Sequence, residues 1–305
     1  MSKVLELNSI AQAHQILGLP KPKHPLVTVV NDREFTGMGH FQGEKVIVNL
    51  YQVIFKQGGC GTILYGKNAY DYQEGTLILT APGQVMAYQD SDTNTDSIEE
   101  AGWRLAFHPD LIRKSDLGEK INGYSFFDYD VHEALHLSED ERKTIEGLVD
   151  IIIKEYSLNL DRHSQHLIIT NIQLLLDYCR RFYDRQFYTR TNINSDVVSR
   201  FERLIRDYYQ TEKAIDLGIP SVSYCADKLN LSSKYLSDLL KKETGKTAQE
   251  HIHLHIIERA KNSLLHSSQS VSEIGFMLGF EYPQHFSNLF KAKTGYSPRE
   301  YRNMN

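Results

Sequence analysis

Val222-Ser223-Tyr224-Cys225-Ala226-Asp227-Lys228-Leu229, followed by Leu236-Ser237-Asp238-Leu239-Leu240-Lys241-Lys242-Glu243-Thr244-Gly245, returns later in the chain as Val271-Ser272-Glu273-Ile274-Gly275-Phe276-Met277-Leu278, followed by Phe286-Ser287-Asn288-Leu289-Phe290-Lys291-Ala292-Lys293-Thr294-Gly295. The offset is 49 residues before the turn and 50 after it, so the second copy carries one extra residue between its two short helices. A helix, a tight turn and a second helix, repeated once at this spacing, is an arrangement that places two reading helices in successive major grooves of DNA. The repeat therefore points to a regulator of transcription.

The local chemistry of each copy fits that reading. Ser223 is expected to cap the first short helix, Asn230 to make the turn and Ser232 to start the second helix; Ser272, Gly279 and the Tyr282-Pro283 step do the same in the other copy. Asn and Gly tolerate the left-handed backbone of such a turn, and Pro suits a first helical position. Gly245 and Gly295 are expected to terminate the longer helices. Beyond them, Thr247-Ala248-Gln249-Glu250 and Ser297-Pro298-Arg299-Glu300 each read as a capping box that opens a new helix. The first of these helices, running to about Leu265, would be the rod that fixes one helix-turn-helix relative to the other, and a leading helix from Val197 to Tyr209 precedes both copies.

Within each second helix the apolar residues fall at i, i+3 and i+4, namely Leu236, Leu239 and Leu240, then Phe286, Leu289 and Phe290; these belong to the core. The opposite face presents Ser233, Lys234, Ser237, Asp238 and Lys241 in the first copy, and Gln284, His285, Ser287, Asn288 and Lys291 in the second. Gln and Asn can bond two edges of adenine, Lys reaches guanine or phosphate, and an Asp accepts from the cytosine amine. Any surface helix has a polar face, so it is the duplication that gives these residues a role in DNA binding.

The rest of the 305-residue chain is consistent with two globular domains. Hydrophobic residues make up 41% and charged residues 24%, which excludes a disordered chain. Cys60, Cys179 and Cys225 are far apart and form no C-x-x-C pair, which argues against a disulfide framework or a zinc site and for a reduced, cytoplasmic setting. No run reaches the length of a membrane span, and the first residues lack a signal peptide's apolar stretch. The net charge of −5 divides unevenly, into −7 over residues 1–194 and +2 over residues 195–305. A value of +2 is small for a phosphate binder, so the DNA-binding reading requires the cations to be gathered on one face.

Before the repeat, an opening helix is expected over Asn8 to Leu17, stopped by Pro20, Pro22 and Pro25. Short β-rich runs follow: 26–30, 46–55, 62–65, 76–79 and 103–107, with Gly58-Gly59 and Pro82-Gly83 among the breaks. Many short strands without an intervening long helix predict a small antiparallel barrel or sandwich. Helical spacing returns after the capping box Ser138-Glu139-Asp140-Glu141, with apolar Ile145, Leu148, Val149 and Ile152. A second helix from about Arg162 to Tyr183 carries a stripe of Leu167, Thr170, Leu174 and Tyr178, which either packs on its own barrel or forms a dimer interface. The basic stretch Arg180 to Arg190 then leads to a polar linker.

The stretches Ala226-Asp227-Lys228-Leu229-Asn230-Leu231-Ser232 with Tyr235-Leu236-Ser237, and Ile274-Gly275-Phe276-Met277-Leu278-Gly279-Phe280 with His285 to Lys291, ending Gly295-Tyr296-Ser297-Pro298-Arg299-Glu300-Tyr301-Arg302, resemble the AraC/XylS family of bacterial transcription regulators. The resemblance covers the last 85 to 110 residues. It implies an α+β chain of two domains: an N-terminal small antiparallel, cupin-like β-barrel with two following helices, and a C-terminal all-α domain with two helix-turn-helix motifs joined by a linker helix. The corresponding boundaries are 1–190 for a sensor or dimerisation domain (barrel about 24–110, helices about 138–188), 191–196 for a linker and 197–305 for the DNA-binding domain. Carried over by position, the base-reading candidates are Lys234, Ser237, Asp238, Gln284, His285, Ser287 and Asn288; Asp238 departs from the basic or amide residue that many members have there. The implied partners are double-stranded DNA, a second copy of the chain, RNA polymerase and a small-molecule effector for which no binding residue is identified.

Other chemistries find little support. The barrel region holds only His40, with His24 and His108 at its margins, and no His-x-His pair followed by Glu, which argues against a cupin metalloenzyme. His251, His253 and His255 lie in the expected rod, where only His251 and His255 share a face. His132, His136, His163 and His166 read as surface residues. No nucleophile elbow, phosphate loop or dinucleotide fingerprint occurs, so neither a cofactor nor an enzyme activity is expected. Two readings of the N-terminal half stay open: a sensor of a small molecule, or a ligand-free dimerisation or protein-interaction module.

Overall fold

The computed structural model describes residues 4–34, 45–56, 63–65, 68–70, 75–87, 102–130, 133–158, 161–189 and 191–303, in two compact units, Met1–Tyr188 and Thr189–Asn305. His40, Gly58, Gly59, Cys60, Thr62 and His132 lie outside the described residues.

The first unit begins with strand β1 (Val4–Leu7) and helix α1 (Ile10–Ile16), where Ser9 accepts from the Gln12 amide and so sets the helix start. Then come β2 (Val27–Asn31), β3 (Lys45–Val48), β4 (Tyr51–Lys56), β5 (Ile63–Tyr65), β6 (Asn68–Tyr70), β7 (Thr76–Thr80), β8 (Gln84–Ala87) and β9 (Trp103–Phe107). The single run expected over 46–55 is two strands. Asn49 breaks it, giving its backbone N–H to Leu7 and its side-chain amide to Asn8. Short helices α2 (Pro109–Ile112) and α3 (Asp116–Lys120) and strand β10 (Leu135–His136) lead to two long helices, α4 (Glu139–Ser157) and α5 (Ser164–Thr189).

The expected antiparallel barrel is corrected by the pairing. The described strands form sheets ordered β1-β3-β8, β10-β7-β4-β9-β2 and β5-β6; none of these closes on itself, and β1 runs parallel to β3. One cause is visible at β2, the edge of the five-stranded sheet. There the Tyr156 hydroxyl accepts from the Val29 N–H at 3.1 Å and lies 3.4 Å from its carbonyl, occupying groups that a further strand would need. Val53, Phe55, Leu77, Leu105 and Phe107 form the apolar face of this sheet, each buried. Burial of one such side chain stabilises by about 1.5–3 kcal/mol.

Helix α4 has the expected capping box between Ser138 and Glu141 and buries Ile145, Leu148, Val149 and Ile152. Helix α5 buries Ile168, Ile172, Leu175, Leu176 and Cys179, while Leu167, Thr170 and Leu174 face outward and Tyr178 is half-buried. Arg185 joins the two helices by binding Glu141 and the His136 carbonyl.

The second unit is helical: α6 (Thr191–Gln210), α7 (Lys213–Leu217), α8 (Val222–Leu229), α9 (Ser233–Thr244), α10 (Ala248–His266), α11 (Val271–Met277), α12 (Pro283–Thr294) and α13 (Pro298–Asn303). Residues 191–196, expected as a linker, are the first turns of α6. The stretch is polar but free of Pro and Gly, and Asn194 is buried with its side chain donating to Glu243 at 2.9 Å. The expected caps Ser223 and Ser272 are also corrected. Both serines lie inside their helices, and the caps are Ser221, which accepts from Tyr224 N–H, and Ser270, which forms a capping box with Glu273. Ser270 and Glu273 have the S-x-x-E spacing of a capping box, a signal present in the sequence.

Candidate nucleic-acid interface

The two helix-turn-helix units are built alike down to the turn. Helices α8 and α11 start 49 residues apart and α9 and α12 start 50 apart, matching the one-residue insertion. Asn230 (φ 56°) and Gly279 (φ 91°) hold equivalent left-handed positions. The next residues, Leu231 and Phe280, donate their amides five residues back, to Ala226 and Gly275, and bury their side chains as plugs beneath the turn. Where the first unit packs Ala226 near its second helix, the second has Gly275, and a Cβ there would lie 3.4 Å from Phe286. The smaller residue leaves room for the larger ring.

Helix α9 buries Tyr235, Leu236, Leu239 and Leu240, and α12 buries Phe286 and Phe290, with Leu289 only half-buried. These inward residues fix which side turns out. Ser233, Lys234 and Lys241 are exposed on α9, with Ser237 and Asp238 half-buried at the edge of the same face. Gln284, His285, Asn288 and Lys291 are exposed on α12, with Ser287 half-buried. Tyr282, read from the sequence as part of the step that starts this helix, is the N-cap of α12. It is exposed and its ring meets that of His285 edge-on at 5.5 Å, a contact that the sequence reading did not assign.

Charge gathers on these two helices. Helix α9 carries Lys234, Lys241 and Lys242 against Asp238 and Glu243, and α12 carries Lys291 and Lys293 with no acid, a joint net of +3. Residues 195–305 as a whole have +2, so the remainder of that segment is slightly acidic. This is the asymmetry that phosphate binding requires.

Helix α10 contacts α9, α11 and α13, and so lies between the two units as the rod. Its start is a capping box of Thr247 and Glu250, with the Thr247 N–H holding the Glu250 carboxyl below the usual range. The Ser270 and Ser297 N–H groups do the same for Glu273 and Glu300 at the starts of α11 and α13. The rod histidines are structural. His251 Nε2 is 2.7 Å from the Thr244 hydroxyl at the end of α9, and the His255 ring lies 5.3 Å from that of Tyr209 on α6. Burial lowers the pKa of His251, His253 and His255. Among the described residues no group of three His, Cys, Asp or Glu is placed to hold a metal ion, and no helix is long and apolar enough to cross a membrane.

A second link holds the distal unit. Helix α7 contacts α11, and the Gly218 backbone abuts Gly279 so closely that a Cβ on Gly279 would lie 2.7 Å from the Gly218 carbonyl carbon.

Residues 225–304 match the family model of a helix-turn-helix domain. Among curated proteins, the chain is similar to the HTH-type transcriptional activator RhaS of Escherichia fergusonii, 42% identical over 77 residues, which is 25% of this chain and 28% of the relative. The RhaS of Citrobacter koseri is 39% identical over the same shares. This chain thus matches little more than a quarter of the length of those relatives. Among solved structures, the C-terminal domain of the response regulator yesN from Fusobacterium nucleatum is 31% identical, with 33% of this chain and 95% of that one covered and a TM-score of 0.30. An AraC-type DNA-binding regulator from Chromobacterium violaceum is 27% identical over 28% of this chain and 75% of that one, with a TM-score of 0.26.

Proposed function

We propose, for a chain that belongs to the AraC/XylS family of transcription regulators through its C-terminal helix-turn-helix domain, that it binds duplex DNA sequence-specifically and that its N-terminal unit senses a small molecule. The observation that carries the DNA-binding part is the pair of helices α9 and α12, which turn polar faces outward and together hold a net +3 in a segment whose remainder is slightly acidic. In this reading Gln284 and Asn288 read bases, Ser233, Lys234, Ser237, Asp238, His285 and Ser287 complete the two faces, and Lys241 and Lys291 bind phosphate. Selection of bound sequences from a random duplex pool, followed by footprinting, tests it. Two protected grooves about 10 base pairs apart per chain are expected; protection of one groove, or binding without enrichment of any sequence, rejects it.

The exposed Leu167 and Leu174 on α5 favour a second role for the N-terminal unit, self-association through that helix. Sensing and dimerisation are compatible. A regulator of this kind works in the cytoplasm, where the DNA is.

A further inference from the structure

The two helix-turn-helix units start their second helices differently. Ser232 caps α9, its hydroxyl accepting from the Tyr235 N–H at 3.1 Å. Fifty residues on, the equivalent position before α12 holds Tyr282, whose side chain makes no cap bond. A serine is favoured at an N-cap because its oxygen satisfies one of the free amides of the first turn, and a phenol stands too far out to do so. The second unit forgoes that stabilisation and buries no ring in return, since Tyr282 is 55% exposed. Neither capping nor core packing accounts for an aromatic residue here.

The ring is nonetheless held in place. Pro283, the first residue of α12, requires an extended residue before it, and Tyr282 has φ −124° and ψ 121°. Its ring meets that of His285 at 5.5 Å with the planes 67° apart. Tyr282 therefore stands at the N-terminal end of the face on which Gln284, His285 and Asn288 are exposed. The other exposed aromatics among the described residues are Phe276, on α11, and Tyr296, beyond the end of α12, so Tyr282 is the one at the start of this helix.

In the DNA-binding reading proposed above, residues at the start of α12 face base edges in the major groove. Those edges present hydrogen-bonding atoms and one distinguishing apolar group, the C5 methyl of thymine. The ring of Tyr282 suits that methyl, and being braced by His285 it loses little freedom on contact. Insertion of a ring between base steps belongs instead to proteins that enter the minor groove.

We propose that Tyr282 is a specificity-determining residue that packs its ring on the C5 methyl of a thymine at one end of the half-site contacted by α12. The proposal rests on the DNA-binding reading and adds to it a base recognised by its methyl group, not by hydrogen bonds.

The test starts from the duplex that the wild-type chain selects out of a random pool. Each thymine is replaced in turn by deoxyuridine, which removes the methyl and keeps every hydrogen-bonding atom, and the affinity of the full chain is measured by fluorescence anisotropy. At one thymine of the α12 half-site, uracil is expected to weaken wild-type binding by about fourfold, the value for burial of a single methyl-sized group. Tyr282→Ser, which gives α12 the cap of the first unit, is expected to bind the thymine and uracil duplexes equally at that position. Its melting temperature is expected to hold or rise, so that misfolding does not explain the result. Tyr282→Phe keeps the ring and is expected to keep the fourfold penalty. Uracil penalties that are the same in wild type and Tyr282→Ser at every thymine overturn the proposal. So does a Tyr282→Ser variant that instead loses affinity for selected and scrambled duplexes alike, the mark of a phosphate contact. Both outcomes leave the DNA-binding reading standing, whereas failure of the wild type to select any sequence removes the two together.

Discussion

His251 on the rod helix donates from Nε2 to the hydroxyl of Thr244, the last residue of α9, at 2.7 Å. The direction follows from the hydroxyl's single proton, which is used on the Leu240 carbonyl at 2.7 Å. Thr294, the equivalent residue in the second copy, makes the same bond back to Phe290. The histidine therefore ties the C-terminal end of α9 to α10. His251→Ala is expected to weaken specific DNA binding through misplacement of α9, at a stability cost of about 1 kcal/mol. Equilibrium unfolding and anisotropy on the same variant check it; unchanged specific affinity contradicts the positioning role.

Burial keeps His251, His253 and His255 below the ordinary histidine value of 6.5, so the unfolded chain takes up protons before the folded one does as pH falls. Stability is full above that value and declines below it. Glu250, Glu273 and Glu300 are depressed by cap bonds, and their contribution is present above about 4.5 and lost as pH falls through their folded values. The melting temperature is thus expected to drop in two stages on acidification, with the first stage reduced in His255→Phe. A profile flat between about pH 7 and 5 counts against it.

On α12, Gln284→Ala or Asn288→Ala is expected to relax preference at particular base pairs by about 1–3 kcal/mol, whereas Lys291→Ala is expected to weaken all sequences alike and lower the salt dependence. All three side chains are exposed on α12, with the two amides nearer its start. Competition between a selected duplex and a scrambled one separates the outcomes. Equal losses on both duplexes for all three variants run against the assignment.

Leu174→Glu places a charge in the outward stripe of α5, where Leu174 is 44% exposed and so free of its own unit's core. Self-association is expected to weaken by about tenfold or more with the melting temperature unchanged. Sedimentation of wild type and variant decides; a monomeric wild type at micromolar concentration removes the dimer.

The helical half was legible because its signals are local. Asn230, Gly245, Gly279, Gly295 and Pro283 each act on the one or two residues beside them, and each stands where its chemistry requires. Repetition also misled, since Ser223 and Ser272 recur in register while the true caps, Ser221 and Ser270, recur just as regularly two residues earlier. The sheet half was harder to read for the opposite reason. Short β-rich runs announced β7 and β9 but carry no information on which edges meet, and the Tyr156 hydroxyl that occupies the β2 edge lies 127 residues away from Val29. The alignment of Thr28, Gln52 and Thr80 in one row depends on register across four strands, which no single run of sequence displays.

The contact of Gly218 with Gly279 gives the second helix-turn-helix two points of support, since α10 leads into it and α7 braces its turn. A unit hung from a rod alone can swivel to follow its half-site; a braced one cannot. Inserting a single base pair between the half-sites of an operator turns the second by about 35° about the duplex axis. In the two-groove reading proposed above, the brace keeps that unit from following, so spacing is expected to become part of the sequence code, with two correct half-sites one base pair out of phase counting as one.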